Sequence, residues 1–177
     1  TPLEAGVLHR IDGGTSGVVL AARSQGVFEA MRRQFRARGV CKEYVALVEG
    51  AVTAPGRLEH LLAHQPSFRG RMVDASSLAR PDRAMAAVTD YRPARCVGGC
   101  TLLDIEIRTG VTHQIRCQLA LAGHPVVGDT RYGAAAVEGF PRHFLHAQSV
   151  TFRHPRSGVE TTVRAPLTPD LRALLPR

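Results

Sequence analysis

At 177 residues the chain is long enough to bury a core and short for two units, so we expect one domain over residues 1–177. No window approaches the run of about 20 apolar residues that a membrane span requires, and the N-terminus lacks the basic and apolar segments of a signal peptide; we expect a soluble, cytoplasmic protein. Twenty-three Lys and Arg against fifteen Asp and Glu leave a net charge of +8, with Lys42 the sole lysine, and an arginine-dominated surplus suits a polyanionic partner because the guanidinium fork binds phosphate bidentately and stacks on bases.

The first informative stretch runs from Leu8 to Leu20 and holds Arg10, Asp12, Gly13, Gly14, Thr15 and Gly17 before an apolar run. Asp12 stands where an extended segment begins, beside a cation and among glycines, so its carboxylate can be held in a cleft while a substrate approaches the backbone. The same residues also suit a plain turn in which Asp12 caps local amides. Gly17 to Ala22 is valine-rich and predicts a strand buried on both faces. From Gln25 to Arg38, Phe28, Met31 and Phe35 recur at helical spacing among arginines, and Gly39 predicts the stop.

Lys42 to Val48 alternates and predicts a strand ending at Glu49-Gly50, with Tyr44 able to stack on a base or carry a proton. Residues 57–83 are weakly patterned and suggest short strands and surface loops. Residues 87–91 and 101–107 predict two strands joined through Gly98-Gly99. That hairpin accounts for Cys96 and Cys100 better than a metal knuckle, which would need a second ligand pair. The histidines show no metal-ligand spacing, so no metal is expected. Residues 109–123 predict a helix with Thr112 as N-cap and Gly123 at its end, its first turn presenting Gln114 and Arg116 toward any anion at that terminus. Residues 145–152 and 159–164 predict a last strand pair, and 169–175 a short helix. Strands dominate without regular alternating units, so the class is α+β with a mainly antiparallel sheet.

Five stretches then combine. His9-Arg10-Ile11-Asp12 with Thr15-Ser16-Gly17, Lys42 to Gly50, Thr109 to Arg116, Gly123-His124-Pro125 with Gly128-Asp129 and Tyr132-Gly133, and Leu145-His146-Ala147 with Phe152, His154 and Pro155 together resemble the RluA-type family of RNA pseudouridine synthases. The resemblance implies a catalytic domain with a mixed, mostly antiparallel sheet, flanking helices and a central RNA-binding cleft. It implies isomerisation of uridine in ribosomal or transfer RNA without a cofactor; we expect a monomer with no membrane partner. By resemblance Asp12 is the essential carboxylate, Tyr44 the active-site tyrosine, and Ile115 with Arg116 the apolar and basic pair. Arg10, Thr15, His113 and Gln114 are expected to face the RNA.

The chemistry fits those residue types. Breaking N1–C1′ and joining C5 to C1′ needs an ionised carboxylate near C1′ and a pocket that retains the free base, and Arg116 paired with Asp12 would keep the acid charged and oriented. The target base must be flipped out, and Arg10 can fill the space it leaves. Three positions depart from the family pattern: Val111 stands where arginine is usual, and Cys117-Gln118 where Val-His is common. Members also carry a strand before the Asp motif, and many an S4 RNA-binding domain; we expect both to be absent from this sequence, which starts at Thr1. The competing expectations are an RNA-binding, chaperone-like relative with weak catalysis, and an ATPase phosphate loop at Asp12 to Ser16, the latter lacking the two lobes it would need.

Overall fold

The computed structural model describes residues 6–68, 70–80 and 83–175. In chain order its elements are β1 (Ser16–Gly17), α1 (Gln25–Arg36), β2 (Cys41–Glu49), β3 (Gly56–His64), β4 (Met72–Asp74), β5 (Met85–Val97), β6 (Cys100–Ile107), α2 (Gln114–Leu121), β7 (Leu145–Arg153), β8 (Glu160–Arg164) and α3 (Pro169–Ala173), with 3-10 turns at Ala75–Ser77 and Thr130–Tyr132. Among these, no helix is long and apolar enough to cross a membrane.

The strands form one sheet in the order β1, β7, β2, β6, β5, β3, β4, with β8 also pairing β7. Only β1 with β7 is parallel. The α+β class and the mostly antiparallel sheet are therefore as expected. The β2 sequence is apolar at Tyr44, Ala46, Leu47 and Val48, all buried, because β2 lies mid-sheet between β6 and β7 and is covered by α2 and the 126–144 segment. The Gly98-Gly99 hairpin is present, both glycines having positive φ (50° and 81°) between Val97 and Cys100, as a two-residue turn requires.

Several expectations are corrected. The segment 17–22 is not a continuous strand: Ser16–Gly17 pair with His146 and Ala147, and Ala21 makes an isolated antiparallel bridge with Val7. Helix α1 ends at Arg36, and Arg38 rather than Gly39 takes the left-handed conformation (φ 56°). The weakly patterned region holds a full nine-residue strand, β3, paired along β5. Helix α2 is N-capped by His113 (φ 52°, ψ 21°), not by Thr112. Gly123 (φ 84°) does end it, with its N–H on Ala120 O and that of His124 on Leu119 O.

The two departures in α2 have structural explanations. Gln118 is fully buried, accepting from Thr89 Oγ1 (2.7 Å) and donating to Leu58 O and Ala87 O, so its carboxamide joins α2 to β3 and β5. Cys117 packs in a second small core with Leu62, Met72, Ala87 and Tyr132, its thiol directed at Met72 O.

At Gly17 the backbone is left-handed (φ 122°), and a Cβ there would lie 2.1 Å from Ala147 O on β7. Gly17→Ala therefore has to break the parallel β1 contact. We expect it to cost more than about 2 kcal/mol, read as a lowered midpoint in urea denaturation, whereas Gly13→Ala, which meets nothing within 4 Å, should be near neutral.

Candidate active site

The loop carrying Asp12 has no secondary structure of its own and is held from a distance. Thr15 Oγ1 bonds His143 Nε2 (2.8 Å), Ser16 Oγ bonds His146 Nδ1 (2.9 Å), and Arg142 donates to Gly14 O (2.8 Å) while also pairing Asp170. Each tie reaches about 130 residues along the chain, so the loop is fastened to β7 and the segment before it. Its carboxylate points inward and is only 15% exposed.

Arg116 rises from the first turn of α2 and meets Asp12 through Nη1 at 3.4 Å. That contact is the lesser of two. Arg116 grips Asp129 bidentately, Nε to Oδ2 at 2.6 Å and Nη2 to Oδ1 at 2.9 Å, and both residues are buried. Burial alone would lower the Arg116 pKa, but the Asp129 hydrogen bonds and charge, and then Asp12, raise it, so the guanidinium stays charged. Arg116 thus spends one edge on a structural acid and offers the remaining amino group to Asp12.

Tyr44 lies on β2 at a bulge in the pairing with β7, the kind of irregularity that re-aims a side chain. Burial and then the Asp12 charge push its phenol up to about 12, so it remains a neutral phenol at neutral pH. Ile115 is buried in the main core beside it. A cavity of about 360 Å³ opens here. Asp12, Tyr44, Ile115, His113, Thr15 and Arg10 all line it, together with Gln114. Arg116 lines a second opening instead, together with His113, Asp129 and His143.

Gln114 lines the cavity but is committed elsewhere. Its Oε1 accepts from Thr109 Oγ1 and Val111 N–H, and its Nε2 donates to Val88 O and Thr89 Oγ1. It therefore fastens the 109–111 turn to β5. His113 is placed differently: the Tyr132 hydroxyl accepts from Met72 N–H (2.9 Å), leaving its hydrogen for His113 Nδ1 (3.0 Å). A left-handed non-glycine backbone at this position is strained, and the strain aims the ring across the helix terminus.

The residues that sequence reasoning did not nominate are Asp129, Tyr132, Arg142 and His143. Two guanidiniums lie over the Tyr132 ring, Arg116 Cζ 5.3 Å and Arg71 Cζ 5.6 Å from its centroid. Asp129 and Tyr132 were visible only as part of the Gly-Asp and Tyr-Gly pairs of the resemblance; Arg142 and His143 carried no local signal.

Two imidazoles bracket the loop, and both titrate low. His143 falls to about 4 through burial and then the Arg116 charge; His9, whose Nε2 accepts from Leu20 N–H, falls to about 4 through burial and then Lys42. Both are neutral when folded, so the unfolded chain binds more protons between pH 6.5 and about 4. Stability is expected to drop as pH falls through that window. The slope of unfolding free energy against pH should be shallower in His143→Gln; an unchanged slope would remove His143 from the account.

The comparisons agree with this architecture. A human protein, RNA Pseudouridylate Synthase Domain Containing 1, superposes with a TM-score of 0.78 at 27% identity, over 96% of this chain and 72% of that one. The fold is thus that of a pseudouridylate synthase domain. The RNA pseudouridylate synthase family model matches residues 1–121, and the chain belongs to that family. Among its relatives are ribosomal large subunit pseudouridine synthase D of Xanthomonas campestris, 36% identical over 97% of this chain, and synthase C of Haemophilus ducreyi, 34% identical over 96%. The chain spans about half the length of these relatives, 54% of each.

Proposed function

We propose that this chain isomerises uridine to pseudouridine in RNA, with Asp12 as the catalytic carboxylate. The observation that carries the reading is that Asp12 and Tyr44 line one cavity of about 360 Å³ while Arg116 pairs with the Asp12 carboxylate at 3.4 Å. The relatives' names favour ribosomal RNA as the substrate, with transfer RNA as the second class to be tested.

In this mechanism Asp12 assists departure of uracil from C1′, and the freed base turns within the cavity before C5 joins C1′. The C5 proton then leaves and N1 ends protonated. Arg116 holds the carboxylate at a fixed orientation, a positioning role that Asp129 underwrites. Tyr44 stacks on the base as a neutral phenol, and Ile115 shapes the pocket floor. Arg10, on the exposed lip, supports the vacated stack. Thr15 acts through His143 in orienting the loop, while His113 faces the nucleotide. The chain acts as a monomer in the cytoplasm on this reading.

The test is tritium release from transcripts of ribosomal and transfer RNA labelled at uridine C5, since forming the C5–C1′ bond expels that hydrogen. Release from a ribosomal transcript supports the reading and identifies the substrate class. RNA binding without release from either transcript overturns it in favour of a binding protein built on the same fold.

A further inference from the structure

Lys42 is a cation that the proposed mechanism leaves without a task. It stands on β2 opposite Ile107 of β6 and Val150 of β7, and only 6% of it is exposed. Among the described residues its ammonium makes one hydrogen bond, to Thr109 O at 2.5 Å, and no carboxylate pairs with it. An ammonium has three donors, so most of its capacity is unspent. Burying a charge without a partner is costly, and desolvation accordingly lowers the Lys42 pKa to about 8.

The surroundings do not supply a counter-ion. The other cations on this cavity wall are Arg10, Arg108 after β6, and Arg32 and Arg36 of α1, and its imidazoles are His9 and His113. Asp12, the one acid among the described residues that line it, is engaged by Arg116. Gly110 completes the picture. Its φ is not positive, so no torsion demands glycine, yet a Cβ there would lie 3.3 Å from Lys42 Nζ. The missing side chain leaves the ammonium open to an approaching group.

We propose that Lys42, with Arg10 and Arg36 at the rim, forms a phosphoryl-binding subsite that seats a phosphate of the nucleotide entering the cavity. The inference rests on the uridine-isomerase reading for the identity of that nucleotide, but the anion site stands on the geometry alone. A phosphate oxygen supplies the charge that the fold omits, and it does so only when nucleotide arrives. The subsite would register the target's backbone relative to Asp12 rather than read the base.

Because Lys42 is the sole lysine, protein labelled with ¹⁵N- and ¹³C-lysine gives a single side-chain signal. Its titration would be followed alone and with inorganic phosphate, uridine, uridine 3′-monophosphate or uridine 5′-monophosphate. The expected result is a midpoint that moves from about 8 toward the ordinary lysine value of 10.5 with phosphate and with one or both monophosphates, and not with uridine. The preferred monophosphate identifies the phosphate seated. An unmoved midpoint in every case, or an equal shift with uridine, overturns the proposal. In RNA binding, Lys42→Met should reduce the slope of log affinity against log salt by about 1, while Lys42→Arg retains it; an unaltered slope also counts against the subsite. Should Lys42→Met not fold, the wild-type titration decides. Tritium release is a separate readout, so a phosphate-dependent shift without release would sink the isomerase reading and keep the anion site.

Discussion

Asp12→Asn is expected to lose tritium release by at least about 10³-fold while folding as the parent does. The asparagine keeps the size and much of the hydrogen bonding of the carboxylate but cannot carry its charge to C1′. Among the described residues the one ion pair of Asp12 is the 3.4 Å contact with Arg116, which retains the shorter bidentate grip on Asp129. The stability change should therefore stay under about 1 kcal/mol, a shift of a few degrees in Tm. Single-turnover release and thermal unfolding on the same preparation make the check. Release within tenfold of wild type would remove Asp12 from the chemistry, and loss of release with a collapsed Tm would assign it to the fold instead.

Asp129→Asn is expected to fail in the opposite manner. Asp129 is 2% exposed and accepts two charge-assisted hydrogen bonds from Arg116, so its neutralisation strands a buried guanidinium. The cost should be about 3–5 kcal/mol, and Tm should fall by about 6–20 °C. Arg116 is then drawn toward Asp12, its one remaining acid, and the misplaced carboxylate should slow release by about 10²-fold at temperatures where the variant is folded. The paired change Arg116→Met with Asp129→Leu separates the two effects. Apolar replacement of a buried ion pair is often tolerated, so stability should return toward that of wild type while release does not. If release returned as well, Arg116 would have no part in positioning Asp12.

How far the sequence could be read depended on where each contact closes. α1 was legible because Phe28, Met31 and Phe35 repeat within one helix face, and β2 and β6 because alternation or apolar continuity is local. β3 was read only as short strands and loops because Arg57, Glu59 and Leu61 face solvent while burial is concentrated at Leu62 and Ala63, which blurs the period. α2 gave a weak pattern for a different reason: every residue from Gln114 to Leu119 is buried, so there is no polar face to mark the helix. The Asp12, Tyr44 and Arg116 constellation was named through resemblance. Its support was not, since Thr15 to His143 and Gly14 to Arg142 are pairings across 128 residues. Gln114 shows the converse: its position invited a ligand-facing role, and only the structure reveals that its amide holds the 109–111 turn.

The parallel pairing of β1 with β7 bears on when the site can exist. Ser16 and Gly17 have no partner strand until His146 and Ala147 are available, so the loop bearing Asp12 is among the last pieces to be closed entropically. A chain emerging from the ribosome N-terminus first must display its acidic loop unpaired while β2 to β6 assemble around their local hairpins. Competence would therefore arrive in one late step, after His146 and Ala147 have left the exit tunnel. A nascent protein that meets its RNA earlier than that can offer it arginines but not an assembled cleft.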